Sequence, residues 1–158
     1  MFSKNAEDFV VILDNIRSGY NVGSILRTSE FLGIKKIISI GITPLPPHRE
    51  VIKTSLGAEK NLIIERNFSL KRTINRLKAK NYQIVAIEQA KNSIPFYLFK
   101  QRKNKIALIL GNEKKGISAN HLKLCDYILE IPCLGKVKES LNVSIALAIV
   151  LSYLVFKL

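Results

Sequence analysis

The chain has 158 residues, a length typical of a single domain, and 47% of them are apolar, which excludes a disordered protein. Lysine and arginine together number 25 against 12 acidic residues, so the formal net charge is +13. The two cysteines, Cys125 and Cys133, lack the spacing and the histidine partners of a zinc site, and they are too few for a disulfide scaffold.

The charge and the apolar segments restrict the class of protein further. An excess of positive charge favours a polyanionic partner, most simply nucleic acid, although an AT-rich genome would also enrich lysine. Residues 1–9 contain two acidic residues and no apolar stretch, so we expect no signal peptide. Residues 145–156 are apolar but shorter than the ~20 residues of a membrane span, so we expect a buried helix in a cytoplasmic protein.

Short apolar runs alternate with helical patterns in the first part of the chain. Residues 9–13, FVVIL, predict a buried strand. Asn21 is placed to cap a helix that ends near Gly33, a residue type that commonly follows a helix. A second strand is predicted over 36–40, and the three prolines of 41–50 predict a loop without regular structure.

The rest of the chain continues this alternation. The predicted elements are a strand over 62–65, a helix capped by Ser69, strands over 83–88 and 105–110, a short helix beginning at Ser118, a strand over 127–131 and an apolar helix after Asn142. Alternating strands and helices predict an α/β domain with a mostly parallel sheet, spanning residues 1–158 as one unit. In such sheets ligands bind in the loops that follow the carboxyl ends of the strands.

The loop over residues 111–118 nearly fits a phosphate-binding loop, but it lacks the essential lysine. Ile117 stands where that lysine would have to contact the phosphates, which argues against nucleotide triphosphate hydrolysis. The dinucleotide fingerprint G-x-G-x-x-G is also absent. A tight turn would explain the glycines, but it would not explain Glu113, an acid within a basic glycine loop.

Two further segments carry polar residues at strand or helix ends. Residues 131–135 read IPCLG and residues 140–144 read SLNVS, with Lys136 and Lys138 between them. Helix capping explains one of these polar residues but not the whole cluster. Asn21 and Arg27 lie six residues apart on one predicted helix, where a cap and a surface arginine are the simplest interpretation.

Taken in order, the three segments resemble the motifs of the SpoU/TrmH family of SPOUT methyltransferases. Those motifs read N-x-x-x-x-x-R, then G-x-E-x-x-G, then I-P-x-x-G followed by S-L-N-x-S, and all three occur here. The resemblance extends from about residue 9 to residue 156. In two respects the chain departs from the pattern: Cys133 stands in place of the usual methionine, and residues 136–139 are one residue longer than usual.

The resemblance implies an α/β fold with a deep C-terminal trefoil knot, a homodimer, and S-adenosylmethionine as cofactor, with no metal. The implied reaction is 2′-O-methylation of a ribose in tRNA or rRNA. The implied catalytic positions are Arg27, Asn21, Glu113, Ser140 and Asn142. The implied cofactor-binding positions are Glu88, Gln89, Gly111, Ile131, Cys133, Ser140 and Leu141. In this family the arginine of one subunit reaches the cofactor bound by the other.

The chemistry of the residues leaves some roles open. An arginine stays protonated, so we expect Arg27 to stabilise negative charge and anchor a phosphate, although proposals for the family also cast it as the base. His48 is an alternative base, but it has no identifiable partner, and it and His121 are most simply surface residues. A different class of function is a non-catalytic RNA-binding module of the same fold that has lost cofactor binding.

Overall fold

A computed structural model describes residues 6–137 and 139–157, in which seven strands form one parallel sheet. The strands are β1 (Phe9–Asp14), β2 (Lys36–Ile40), β3 (Ile63–Asn67), β4 (Gln83–Ile87), β5 (Ile94–Pro95), β6 (Ile106–Leu110) and β7 (Tyr127–Glu130). Their order across the sheet is β3-β2-β1-β6-β4-β7-β5. The chain thus starts at the centre of the sheet, builds one half with β2 and β3, and then builds the other.

Within the described residues, five α-helices cover both faces of this sheet. They are α1 (Gly19–Phe31), α2 (Arg49–Ser55), α3 (Leu70–Ala79), α4 (Ala119–Leu122) and α5 (Val143–Phe156). Helices α1, α2 and α5 pack on one face, and α3 and α4 pack on the other. A parallel sheet covered on both faces buries every residue of its central strands, as β1, β4 and β6 do here. The predicted α/β class with a mostly parallel sheet is confirmed.

The two most regular helices follow directly from their sequences. In α3 the Ser69 hydroxyl accepts a hydrogen bond from the Arg72 backbone N–H, and Leu70, Ile74 and Leu77 face the sheet. The outward face of α3 is left to basic side chains. Helix α5 is apolar almost throughout and begins at Asn142, whose side chain caps it. No helix of the described residues is long and apolar enough to cross a membrane.

Two predictions about local structure were wrong. The cap of α1 is Ser18 and not Asn21, because the Ser18 hydroxyl accepts from the Asn21 backbone N–H and leaves the Asn21 amide free for other contacts. The segment 41–50, predicted to be irregular throughout, contains the start of α2 at Arg49. That helix has only seven residues, too few for its apolar spacing to stand out beside three prolines.

Candidate functional site

The register of the sheet brings the loops that carry the candidate functional residues to one edge. Leu110 at the end of β6 lies opposite Leu13 of β1 and Ile87 of β4, and Ile87 lies opposite Leu129 of β7. The loops that follow these four strands therefore emerge side by side. The loops after β4, β6 and β7, Asn21 of α1 and the segment before α5 enclose a cleft of about 560 Å³. Its position, at the carboxyl ends of parallel strands, is where α/β sheets bind ligands.

The glycine loop that follows β6 forms one wall of the cleft and is held together by its own hydrogen bonds. The Asn112 carbonyl accepts from the Gly116 N–H at 2.8 Å, and the Asn112 side-chain oxygen accepts from the N–H groups of Lys114 and Lys115 at 3.0 Å each. A Cβ on Gly111 would come within 2.6 Å of the Gly116 carbonyl carbon. Only glycine therefore allows the two ends of this loop to approach so closely.

Glu113 at the tip of the glycine loop holds the segment that leads into α1. Its carboxylate accepts three hydrogen bonds, from the N–H groups of Arg17 (2.9 Å) and Ser18 (3.0 Å) and from the Asn21 amide (3.0 Å). Burial raises the pKa of Glu113, but these three donors outweigh burial, and the pKa lies below its ordinary value. Glu113 is therefore an ionised structural anchor and a poor candidate for a proton acceptor.

Asn21 extends this network to the start of α5. The Asn142 amide donates to the Asn21 side-chain oxygen at 2.9 Å. The Asn142 oxygen accepts from both the backbone N–H (2.9 Å) and the hydroxyl (2.6 Å) of Ser144. The side-chain amides of Asn21 and Asn142 thus each donate and accept hydrogen bonds. Glu113, Asn21 and Asn142 form one continuous chain of hydrogen bonds. This chain joins the three sequence motifs, which are far apart in the sequence.

The loop after β4 forms the opposite wall. Glu88 accepts from the Ile117 N–H and from the Gln89 N–H, both at 3.0 Å. The Gln89 amide donates to the Glu139 carbonyl at 2.8 Å. Glu88 therefore fixes the far end of the glycine loop, and Gln89 fixes the segment before α5. Lys138 of that segment lies outside the described residues.

The lining of the cleft combines apolar walls with carboxylates. Ile131, Leu141 and Val143 supply accessible apolar surface, Glu88 and Glu113 place negative charge around it, and Lys114 and Lys115 add positive charge. The cleft thus presents charge of both signs, which favours a ligand that itself carries both positive and negative groups. The described residues contain no group of three or more side chains suited to hold a metal ion.

Most residues singled out from the sequence line this cleft. Those that do are Asn21, Glu88, Gln89, Gly111, Glu113, Ile131, Ser140, Leu141 and Asn142. Two do not: Cys133 is exposed and is not among the lining residues, and Arg27 lies on the exposed side of α1 beside Phe31, Leu56 and Asn61. The residues missed from the sequence are mainly backbone donors, the N–H groups of Arg17 and Ser18, which no side-chain pattern reveals.

Known proteins are similar to this chain in sequence. The SpoU rRNA Methylase family matches residues 8–152. An uncharacterized tRNA/rRNA methyltransferase of Borreliella burgdorferi is 33% identical over 150 residues, which cover 95% of this chain and 64% of that protein. The chain thus spans less than two thirds of the length of this relative.

Crystal structures of related proteins superimpose on nearly the whole chain. The AdoMet-bound rRNA methyltransferase from Sinorhizobium meliloti has a TM-score of 0.86 and 26% identity, covering 99% of this chain and 61% of that one. The A. aeolicus TrmH/SpoU tRNA modifying enzyme has a TM-score of 0.82 and 27% identity, covering 96% of this chain and 75% of that one.

Proposed function

We propose that this chain, which belongs to the SpoU rRNA methylase family, transfers a methyl group from S-adenosylmethionine to the 2′-hydroxyl of a ribose in tRNA or rRNA. The observation that carries the proposal is the hydrogen-bonded chain of Glu113, Asn21 and Asn142 at the mouth of the cleft. The proposal treats residues 1–158 as one catalytic domain, acting in the cytoplasm on RNA. The trefoil knot implied by the sequence motifs is part of it.

The cleft suits S-adenosylmethionine in size and in charge. Its volume of about 560 Å³ falls within the range of ~300–1,000 Å³ typical of small-molecule sites. Ile131, Leu141 and Val143 offer apolar surface to an adenine ring. Glu88 and Glu113 offer negative charge to the cationic groups of this ligand, and Lys114 and Lys115 offer positive charge to its carboxylate. When bound, S-adenosylmethionine supplies a sulfonium methyl donor that is already activated. The protein therefore has mainly to orient donor and acceptor.

The chain's own polar residues divide into two groups. Glu113, Asn21 and Asn142 hold the three loops at fixed positions, since each uses its hydrogen-bonding groups on the others or on backbone. Ser140 lies at the cleft and is exposed, so its hydroxyl is available to a ligand. We assign orientation of the ligands to these residues and not removal of the ribose proton.

Arg27 requires a second subunit in this proposal. Its side chain is exposed and lies outside the cleft of its own chain, six residues beyond Asn21 and thus ~9 Å further along α1. Exposed apolar residues lie near it and on α5: Phe31, Leu56, Ile145, Ile149 and Phe156. Apolar surface of this kind marks subunit contacts. In a homodimer Arg27 of one subunit would reach the cleft of the other and stabilise the charge that develops on the ribose oxygen.

Mapping of ribose methylation tests the proposal. Total RNA is incubated with the protein and S-adenosylmethionine and then treated with alkali, which cannot cleave the chain after a 2′-O-methylated ribose. We expect a new resistant position with the wild type and with Asn104→Ala, a control at an exposed asparagine remote from the cleft. Asn142→Ala, its fold checked by circular dichroism, should lose the activity.

Two outcomes would contradict the proposal in different ways. Methyl incorporation without alkali resistance would place the methyl group on a base and refute the ribose assignment. Calorimetry that finds no heat of binding for S-adenosylmethionine, while RNA still binds, would favour the non-catalytic RNA-binding module.

A further inference from the structure

A second groove lies on the other side of the glycine loop from the cleft. It has a volume of about 570 Å³ and runs between that loop, the end of β1 and the segment after β2. Asn112, Lys114, Lys115 and Gly116 line both the groove and the cleft, so the glycine loop is a shared wall. The two spaces are therefore neighbours, and a chain-like substrate reacting in the cleft can continue into the groove.

The rim of the groove carries basic side chains, and hydrogen bonds hold the backbone from which they extend. Arg17, Lys114 and Lys115 line it, and all three are exposed. Their backbone N–H groups are bonded to Glu113 or Asn112, which fixes where the side chains start. Within the part of the chain that the structure describes, these three side chains make no ion pair or hydrogen bond of their own. They are available to an anionic ligand such as a phosphodiester.

The floor and the opposite wall of the groove have a different character. Asp14 at the floor is buried, its carboxylate accepts from the Asn15 amide at 2.9 Å, and it lies 3.9 Å from His121 Nδ1. A buried carboxylate repels phosphate and accepts hydrogen bonds from N–H donors. Ile42, 66% exposed, provides apolar surface at the edge of the groove. The groove thus offers cations at its rim and polar and apolar surface within, which matches one nucleotide of RNA.

We propose that this groove binds the nucleotide adjoining the ribose that is methylated. Its phosphates would contact Arg17 and the two lysines, and its base would lie against Ile42 and His121. The inference rests on the proposed function, since it assumes that the cleft acts on RNA. It adds a subsite that selects single-stranded or unstacked RNA, because a base paired in a helix cannot enter the groove.

Variants that alter the groove but not the cleft test this subsite. Arg17 and Ile42 line the groove only, so Arg17→Gln and Ile42→Ser spare the cleft. The matched controls are Lys123→Gln, an exposed cation outside both spaces, and Ile63→Ser, whose side chain is 64% exposed on the edge strand β3. The probe is fluorescein-labelled hexauridylate, titrated by fluorescence anisotropy over a range of salt concentrations.

The two groove variants should fail in different ways. Arg17→Gln removes one phosphate contact, so the slope of log affinity against log salt should become shallower by ~0.7. Ile42→Ser removes an apolar contact, so affinity should fall about fivefold with the slope unchanged. Both controls should bind as the wild type does, and calorimetry should give all four variants the wild-type affinity for S-adenosylmethionine.

The outcomes separate this inference from the proposed function. If the wild type methylates RNA but Arg17→Gln keeps the slope and Ile42→Ser keeps the affinity, the subsite is wrong and the proposed function stands. If the wild type binds S-adenosylmethionine but neither binds hexauridylate nor methylates RNA, the proposed function fails and the subsite fails with it.

Discussion

Replacement of Glu113 by glutamine tests whether this carboxylate anchors the candidate site. One oxygen of Glu113 accepts from Ser18 and Asn21, and the other accepts from Arg17. A glutamine that keeps the first two bonds must turn its NH₂ group toward the Arg17 N–H, so a donor faces a donor. One charge-assisted hydrogen bond is lost and the other two become neutral.

The expected loss follows from the energy of such bonds. Hydrogen bonds to charged groups contribute ~1.5–3 kcal/mol, but Glu113 is exposed, so water compensates for part of the loss and we expect about 1–2 kcal/mol. For a chain of this size each kcal/mol corresponds to about 2–4 °C in Tm. Urea and thermal unfolding at pH 7, at fixed protein concentration, measure both quantities. The control is Glu139→Gln, whose carboxylate accepts no hydrogen bond from the described residues.

The pH dependence provides a second check on Glu113. Because the folded-state pKa lies below the ordinary value of 4.5, the stabilisation is fully present above pH 4.5 and is lost as the pH falls through the folded-state pKa. The difference in unfolding free energy between the wild type and Glu113→Gln should therefore shrink in acid. A difference at pH 7 no larger than that of Glu139→Gln, or one that persists undiminished in acid, would refute the anchoring role.

Three further predictions concern side chains at other places in the fold. Arg27→Ala and Arg27→Lys should abolish methyl transfer, while calorimetry should find an unchanged affinity for S-adenosylmethionine. A mixture of Arg27→Ala with Leu141→Arg should regain part of the activity. Mixed dimers that stay inactive despite subunit exchange would exclude a shared site. Burial raises the pKa of the Cys125 thiol to about 11, so at pH 8 iodoacetamide should modify Cys133 far faster than Cys125. Protection of Cys133 by S-adenosylmethionine would place it beside the cofactor. Burial raises the pKa of Glu65, but hydrogen bonds from Lys36, Arg76 and Asn67 outweigh burial and lower the pKa to about 2. Glu65→Gln should therefore destabilise the protein by about 1 kcal/mol at pH 7, and its stability should differ little from that of the wild type below pH 2.

Leu141 is a better position than Gly111 for a variant that blocks the cofactor site. The sequence alone points to Gly111→Val as a variant that fills the space of the cofactor and leaves the fold intact. The structure contradicts the second part, because a Cβ at Gly111 meets the backbone of Gly116 and Ile117 and would displace the glycine loop itself. Leu141 is 52% exposed in the cleft, so an arginine there adds positive charge without disturbing the core.

Local signals predicted the regular elements of the fold well. The sequence predicts Ser69 as the cap of α3, because clear apolar spacing follows it, and the structure confirms this. For α5 the sequence leaves Ser140 and Asn142 as candidate caps, and the structure selects Asn142. Asn21 was misplaced because Ser18, three residues earlier, is an equally good cap, and only the contacts of Asn21 with Glu113 and Asn142 decide between them. Contacts between distant segments have no local signature.

The candidate site was predicted mainly through the order of its motifs. Composition and spacing marked Glu113 as an unexplained acid but did not identify its partners. The resemblance to a family brought Asn21, Glu113 and Asn142 together, and the structure joins them by hydrogen bonds. The contacts of Arg27 and Cys133 with the cofactor stay predictions, since neither lines the cleft of a single chain.

The strand order has a consequence for how the chain folds during synthesis. Strand β1 pairs with β2 on one side, but its other edge must wait for β6, because Phe9 is the partner of Ile106. Pairing over such a sequence distance slows folding, and the open edge of β1 is meanwhile apolar and able to pair with other chains. A chain that ends before β6 should therefore aggregate more readily than the full chain, in which this edge is covered.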